Sequence, residues 1–296
     1  WQNRFCLAEG PLFHIGYIAG YADETARNHV AVHHLNIDAV SWRIINQDLR
    51  TLYQFFAAQG DNLDATVDAQ TILGQKGTSY RQWVNSLQNY PAVAVNNHRD
   101  ERHYWDNLTT ELDGWHQRLD AHRVGTLNRT MISLSPEHTG CLLRDLHHVY
   151  HTEVNDILLT VLADALSQVV GGDSQYVLLE GHGREAMFDD VDINNTVGWF
   201  TCMYPVNLRI EQRDLVRNLP LIKDRLRTPP HHGLGYGVLV GYDAQALPAV
   251  TFNYLGQFDG DERDGEWAFV QESTGSALTA NNRTTDFLAL NGGVLN

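Results

Sequence analysis

The sequence has few cysteines, little lysine and no long hydrophobic run. Its three cysteines, Cys6, Cys141 and Cys202, lie far apart and form no C-x-x-C pair, so they do not constitute a disulfide framework. No apolar stretch approaches the ~18 residues that a membrane helix requires, and no signal peptide is visible. These absences predict a cytoplasmic protein with no membrane partner.

Positive charge is scarce, because 21 Lys and Arg residues face 36 Asp and Glu residues, a net charge of −15. Nucleic-acid phosphates and anionic lipid surfaces select basic proteins, so this balance argues against a general nucleic-acid or membrane-surface binder. With 296 residues, 43% of them hydrophobic, the chain can form a sizeable core, and its length predicts one large or two medium domains.

Apolar periodicity predicts both helices and strands, without a strict βαβ order. Helices are predicted at 41–58, 135–150, 155–170 and 219–227, and around His103, Tyr104 and Trp105. Strands are predicted at 30–35, 130–134, 175–179 and 250–258, with two more short strands near the end. The fold class is therefore α/β with mixed sheets.

One segment is predicted to divide the chain. The stretch Gln88–Asp100 lacks helical periodicity, contains Pro91 and becomes polar at its end. It is predicted to join an N-terminal lobe, residues 1–96, to a C-terminal lobe, residues 97–296.

The first candidate constellation is HHLNID, which begins with His33 and His34 and ends with Asp38. Neighbouring side chains on a strand face opposite sides, so only one of the two imidazoles can point into a given cleft. A sheltered imidazole with a pKa of about 7 suits proton transfer, and the carboxylate could orient it or anchor the turn. A pair of satisfied core histidines would give the same pattern, so the residues alone leave both interpretations open.

Two further segments carry candidate groups. In EGHGRE, Glu180 leaves an apolar strand, two glycines permit close approach of the backbone to a ligand, and Arg184 follows. The alternative is a tight surface turn with an ordinary ion pair. A strand with Asn253 and Tyr254 among aromatic residues indicates packing, unless it faces the other two segments.

Together these segments resemble the epimerization domains of nonribosomal peptide synthetases, a branch of the condensation-domain superfamily. The matching stretches follow one another in family order: HHLNIDAVSWRIINQDL, VNDILLTVL, EGHGRE, TVGWFTCMYP, GYGVL and FNYLGQFD. HHxxxD alone marks the wider acyltransferase superfamily, whereas EGHGRE with FNYLGQFD is specific to the epimerization branch. Ala39 departs from the family, which usually has Gly after the Asp.

The resemblance implies two chloramphenicol-acetyltransferase-like lobes that form a V with a central cleft. The cleft would admit the phosphopantetheine arm of a peptidyl carrier protein, and the reaction would invert the α-carbon of an L-aminoacyl or peptidyl thioester. His34 and Glu180 are the implied catalytic groups. Supporting or enolate-stabilising roles are implied for Asp38, Tyr254, Asn253, Arg184, His33 and Asp48.

The resemblance also sets expectations for partners and for the site. It implies no bound cofactor or metal, a carrier protein and a downstream condensation domain as partners, and a monomeric domain. Asp38 is expected to pair with an arginine near the turn and to hold His34 in place. The family's opening strand and helix are expected before Trp1, and its closing strands are expected to extend past Asn296.

Two alternative functions stay open. A condensation-type acyltransferase of the same fold would use His34 beside an attacking amine, but it would leave Glu180 unexplained. An inactive docking module for a carrier protein is the other alternative. The joint presence of five candidate residues argues against it: His34, Asp38, Glu180, Asn253 and Tyr254.

Overall fold

A computed structural model describes residues 4–60, 66–93, 97–126, 128–211, 213–243, 246–258, 270, 272–275, 284 and 286–295. Its strands are β1 (Phe13–Ile18), β2 (Arg27–Val32), β3 (Ser174–Gly181), β4 (Cys202–Arg209), β5 (Val250–Phe258) and β6 (Leu288–Leu295). Its helices are α1 (Ala39–Gln59), α2 (Ala69–Leu73), α3 (Tyr80–Val93), α4 (Asn97–Leu108), α5 (Leu112–Asp120), α6 (Pro136–Gly140), α7 (Leu146–Tyr150), α8 (Val154–Val169), α9 (Leu215–Leu226) and α10 (Tyr236–Leu239).

The strands form two sheets. β1 and β2 pair as an antiparallel hairpin, and the other four strands form a sheet of order β4-β3-β5-β6. In that sheet β3 is antiparallel to β4, whereas β5 is parallel to both β3 and β6. The predicted mixed α/β class is confirmed. Because Leu179 of β3 lies opposite Phe252 of β5, the next residues along these parallel strands, Glu180 and Asn253, are neighbours.

Aromatic side chains fix the helices against this sheet. Trp105 of α4 is fully buried against Tyr204 of β4 and Tyr236 of α10. Trp115 of α5 is equally buried, packs on Tyr176 of β3, and donates its indole N–H to the β3 residue Gln175 at 3.1 Å. Each such ring removes a large apolar area from water. The packing holds β3 in place beneath the candidate site.

Several predicted elements are confirmed where periodicity and end signals agree. α1 begins at Ala39 with Asp38 as its N-cap and ends at Gly60, whose φ is +52°. α8 covers the predicted stripe and ends before two glycines with positive φ. β5 has the predicted bounds. The predicted helix at 135–150 also forms, with a π-helical turn at Cys141–Asp145 between α6 and α7.

The strand prediction at 30–35 was wrong in its second half. β2 ends at Val32, and His34–Asn36 is a short 3-10 helix. The reason is a local cap: His33 Nδ1 accepts a hydrogen bond from the backbone N–H of Leu35 at 3.2 Å. The two histidines therefore differ by their turn positions and not by strand alternation.

The strand predicted at 130–134 was also wrong. The segment is irregular, and the side chains of Met131 and Ile132 are 89% and 86% exposed. A strand needs a partner strand, and among the described residues neither sheet includes residues 130–134.

The junction predicted at Gln88–Asp100 is mostly helical. α3 continues through Pro91 to Val93 and α4 begins at Asn97, while residues 94–96 lie outside the described residues. A proline's fixed φ is compatible with helix, and here it costs one hydrogen bond near the helix end. Tyr90 donates its hydroxyl to Glu101 at 2.7 Å, a tertiary contact that ties α3 to α4. The division into residues 1–96 and 97–296 stays a prediction.

In the part of the chain that the structure describes, every helix is too short or too polar to cross a membrane.

Candidate functional site

His34 lies on the 3-10 turn between β2 and α1, with its side chain exposed. Its imidazole packs edge-on against the indole of Trp199, with ring centroids 5.6 Å apart. His33 has a different environment, because its Nδ1 caps the turn and its ring contacts Phe5 at 5.8 Å. The turn thus leaves the imidazole of His34 available for chemistry and uses that of His33 for structure.

Asp38 anchors the turn through a buried network. Its side chain is 4% exposed, and Oδ1 accepts the N–H of Ser41 at 2.7 Å as the N-cap of α1. Arg184 Nη2 donates to both carboxylate oxygens at 3.2 Å, and the N–H of Phe200 donates to Oδ2 at 3.2 Å. The expected arginine partner exists, but it comes from the second motif, 146 residues along the chain. The network therefore ties HHLNID to EGHGRE.

Arg184 is committed to this network. Its side chain is 5% exposed, and Nη1 donates to the carbonyls of Ile193 at 2.7 Å and Thr196 at 2.8 Å. The guanidinium also lies 4.1 Å from the ring centroid of Phe200. With both terminal nitrogens bonded inside the protein, the enolate-stabilising role implied for Arg184 has no geometric support. Arg184 acts instead by positioning Asp38.

Ser41 belongs to the same network, although the sequence interpretation assigned it no role. It is fully buried, and its Oγ donates to the carbonyl of Gly198 at 2.9 Å and accepts the N–H of Gly198 at 3.1 Å. Arg184 Nη2 also donates to this hydroxyl at 3.0 Å. The sequence feature that could have indicated this role is the position of Ser41, three residues after the N-cap Asp38 and on the buried side of α1.

The glycines of EGHGRE serve packing within the protein. Gly183 has φ +65°, and a Cβ at this position would lie 1.7 Å from the carbonyl oxygen of Phe200. A Cβ at Gly181 would lie 3.0 Å from Cys202 Sγ. The close approach that the sequence indicated is therefore to the neighbouring backbone and thiol, and it allows Arg184 to reach Asp38.

Glu180 stands at the carboxyl end of β3, with its side chain open to solvent. Its Oε2 accepts a hydrogen bond from Asn253 Nδ2 at 3.0 Å. Partial removal of water by the surrounding protein raises the pKa of the Glu180 carboxyl above its ordinary value, and a positive charge on the His34 ring would oppose this rise in pKa. The Arg184–Asp38 hydrogen bonds join the turn that carries His34 to the motif that begins with Glu180.

The remaining predicted residues lie elsewhere. Tyr254 follows Asn253 on β5, so its side chain leaves the opposite face of the sheet, where it packs against the buried core. Burial raises the pKa of its phenol. Asp48 lies ten residues after Asp38 on α1, about 15 Å along the helix axis. Burial raises the pKa of the Asp48 carboxyl as well. Of the supporting residues, Asn253 alone bonds directly to a predicted catalytic group within the described ranges.

Within the described ranges, no group of three or more His, Cys, Asp and Glu side chains is arranged to hold a metal ion.

Asn253→Ala is expected to move the acid limb of the pH–rate profile to higher pH. The ionised fraction of Glu180 falls as the pH drops through its raised pKa. The Asn253 amide favours the ionised form, so its removal raises that pKa further. We expect a shift of up to about one pH unit, because solvent also reaches the carboxylate.

The measurement is kcat/KM for the reaction of the site between pH 4 and 9, roughly the range over which carboxyl and imidazole groups titrate. Asn291→Ala is the matched control, because Asn291 is the neighbour of Asn253 on β6 and lies on the same register row. Superimposable limbs for Asn253→Ala and wild type would show that the amide does not position Glu180.

The comparisons with known proteins agree with one another. The family described as Condensation domain matches residues 1–289. N-(5-amino-5-carboxypentanoyl)-L-cysteinyl-D-valine synthase of Penicillium rubens is 38% identical over 258 residues, which cover 87% of this chain and 6% of the relative. Bacitracin synthase 1 of Bacillus licheniformis is 35% identical over 270 residues, which cover 88% of this chain and 5% of the relative. The chain thus spans a small part of these relatives.

Two solved structures share the fold. The epimerization domain from the third module of tyrocidine synthetase B matches with a TM-score of 0.71 and 29% identity, over 99% of this chain and 65% of that chain. The first condensation domain of the CDA synthetase matches with a TM-score of 0.54 and 17% identity, over 82% of this chain and 50% of that chain. At 17% identity, the second match shows the fold alone.

Proposed function

Because the chain belongs to the condensation-domain family, we propose that it inverts the α-carbon of an L-aminoacyl or peptidyl thioester on a carrier protein. The observation that carries this proposal is the pair of hydrogen bonds from Arg184 to Asp38, which joins the turn that carries His34 to the motif that begins with Glu180. A carboxylate and an imidazole on two segments joined in this way match the two groups that inversion requires.

The chemistry needs both groups in complementary protonation states. The α-proton of a thioester is weakly acidic, so one group must be unprotonated to remove it. The other group must already hold a proton and deliver it to the opposite face of the carbon. Each turnover then breaks one Cα–H bond and forms another, with no net gain or loss of protons. The raised pKa of the Glu180 carboxyl makes its protonated form easier to reach, so this group can serve as the acid as well as the base.

Two comparisons support inversion over acyl transfer. The structural match to the epimerization domain has both the higher TM-score and the higher identity of the two matches described above. The name of the Penicillium relative includes a D-valine residue. A condensation-type acyltransferase would have no catalytic role for Glu180 or for its hydrogen bond from Asn253.

The partners follow from the reaction. The substrate would arrive on the phosphopantetheine arm of a peptidyl carrier protein, and the inverted residue would pass to a downstream condensation domain. We propose a monomeric, cytoplasmic domain with no bound cofactor.

The test offers the protein an L-aminoacyl carrier protein and, separately, the same donor with a second carrier that holds a free amine. Inversion predicts a rising fraction of D-aminoacyl thioester, read by chiral chromatography after release, and no dipeptide. Dipeptide formation without any D residue would identify a condensation enzyme. Carrier binding with neither product would identify an inactive docking module.

A further inference from the structure

A cavity of about 350 Å³ lies between α3 and the amino end of β4. Aromatic and aliphatic side chains form most of its wall, among them Tyr80, Trp83, Trp199, Val238 and Tyr242. This volume is within the ~300–1,000 Å³ of small-molecule sites.

Two residues of the cavity wall are neighbours of the predicted catalytic groups. Trp199, which lines it, packs against the imidazole of His34 with ring centroids 5.6 Å apart. Met203, which also lines it, stands directly opposite Glu180 in the β3–β4 ladder. Neither His34 nor Glu180 is part of the lining. The cavity is therefore next to residues that contact or pair with the two groups, a position that suits a substituent of a carbon held between them.

Two polar atoms in the wall lack a protein partner. The indole nitrogens of Trp83 and Trp199 are buried, and among the described residues neither donates a hydrogen bond. Most buried donors in folded proteins are bonded to protein or to ordered water. Both nitrogens are shielded from the open space of the cavity, so a group bound there would contact the aromatic rings and not these N–H donors.

We propose that this cavity receives the side chain of the residue being inverted, and that it selects large apolar side chains. The inference rests on the proposed function, because it names the part of the substrate that the same site would hold. Among the residues that the structure describes, none that lines the cavity is charged. An acidic or basic side chain would therefore be buried there without a partner.

The test fills the cavity with Val238→Trp and measures inversion of phenylalanyl and alanyl carrier proteins. An alanyl side chain hardly enters the cavity, whereas a phenylalanyl side chain needs its volume. We expect the ratio of kcat/KM for phenylalanyl over alanyl to fall about tenfold or more relative to wild type. Val240→Trp is the matched control, because Val240 is exposed, two residues further along and outside the lining.

A second variant guards against misfolding of the first. Leu87→Ala enlarges the same cavity from α3, and it is expected to raise kcat/KM for a naphthylalanyl carrier protein relative to the phenylalanyl one. An unchanged phenylalanyl-to-alanyl ratio in Val238→Trp, or no gain in Leu87→Ala, would overturn the cavity assignment and leave inversion intact. Absence of inversion by the wild type on every carrier protein would instead overturn the proposed function.

Discussion

Replacement of Glu180 by Gln is expected to slow Cα proton exchange by about 10²–10⁴-fold, the usual contribution of a general acid–base group. The amide retains an oxygen that can accept the Asn253 hydrogen bond, so the local structure should persist. The amide cannot take up or release a proton at the pH values at which a carboxyl does. The measurement is the rate of deuterium incorporation at Cα of a carrier-bound aminoacyl group in heavy water, with a thermal unfolding curve to verify the fold.

Glu185→Gln is the matched control for this variant. Glu185 lies in the same motif, but its carboxylate pairs with the imidazole of His182 at 3.2 Å. We expect exchange within about twofold of wild type, because a partly exposed pair of this kind contributes little. A normal exchange rate in Glu180→Gln would remove the carboxylate from the mechanism.

Arg184→Met is expected to lower the free energy of unfolding by about 3–5 kcal/mol, because it leaves the Asp38 carboxylate buried without its cation. The side chains of Arg184 and Asp38 are 5% and 4% exposed, so water cannot replace the lost partner. The free energy of unfolding is measured by urea denaturation. The rate of Cα proton exchange should fall as well, because Asp38 holds the turn that carries His34.

The comparison variant is Arg123→Ala, which breaks an exposed ion pair with Asp120 on the same protein. Exposed pairs contribute about 0–1 kcal/mol, so this loss should be small. Equal effects of the two variants would show that burial does not make the Arg184–Asp38 pair special. An Asp38→Asn variant of normal stability but without exchange would indicate a direct chemical role for Asp38.

Local patterns predicted the elements whose signals are local. α1 and α8 have apolar stripes at helical spacing together with residues that mark their ends. In the first half of β5, apolar and polar residues alternate as they do in a strand. The segment 130–134 has the same apolar character as a strand, but strand formation depends on a partner that the segment's own residues do not specify. The boundary at Gln88–Asp100 failed for a related reason, because the Tyr90–Glu101 contact is tertiary.

In the candidate site, too, local patterns predicted which residues matter but not the tertiary contacts between them. The resemblance identified Arg184 and Asp38, yet their mutual hydrogen bonds join positions 146 residues apart and could not be deduced from either motif. Strand alternation alone would have placed Tyr254 on the face opposite Asn253. The role of Trp199 beside His34 depends on how the segment before β4 folds back, which no local pattern encodes.

The most direct test of a two-group mechanism is the isotopic content of both epimers during early turnover in heavy water. If His34 and Glu180 act from opposite faces, the D product should contain deuterium at Cα, because its proton comes from the group that has equilibrated with solvent. The L substrate recovered at the same time should retain protium. Protium carried from L substrate into D product would mean that one group serves both faces, and it would contradict this account.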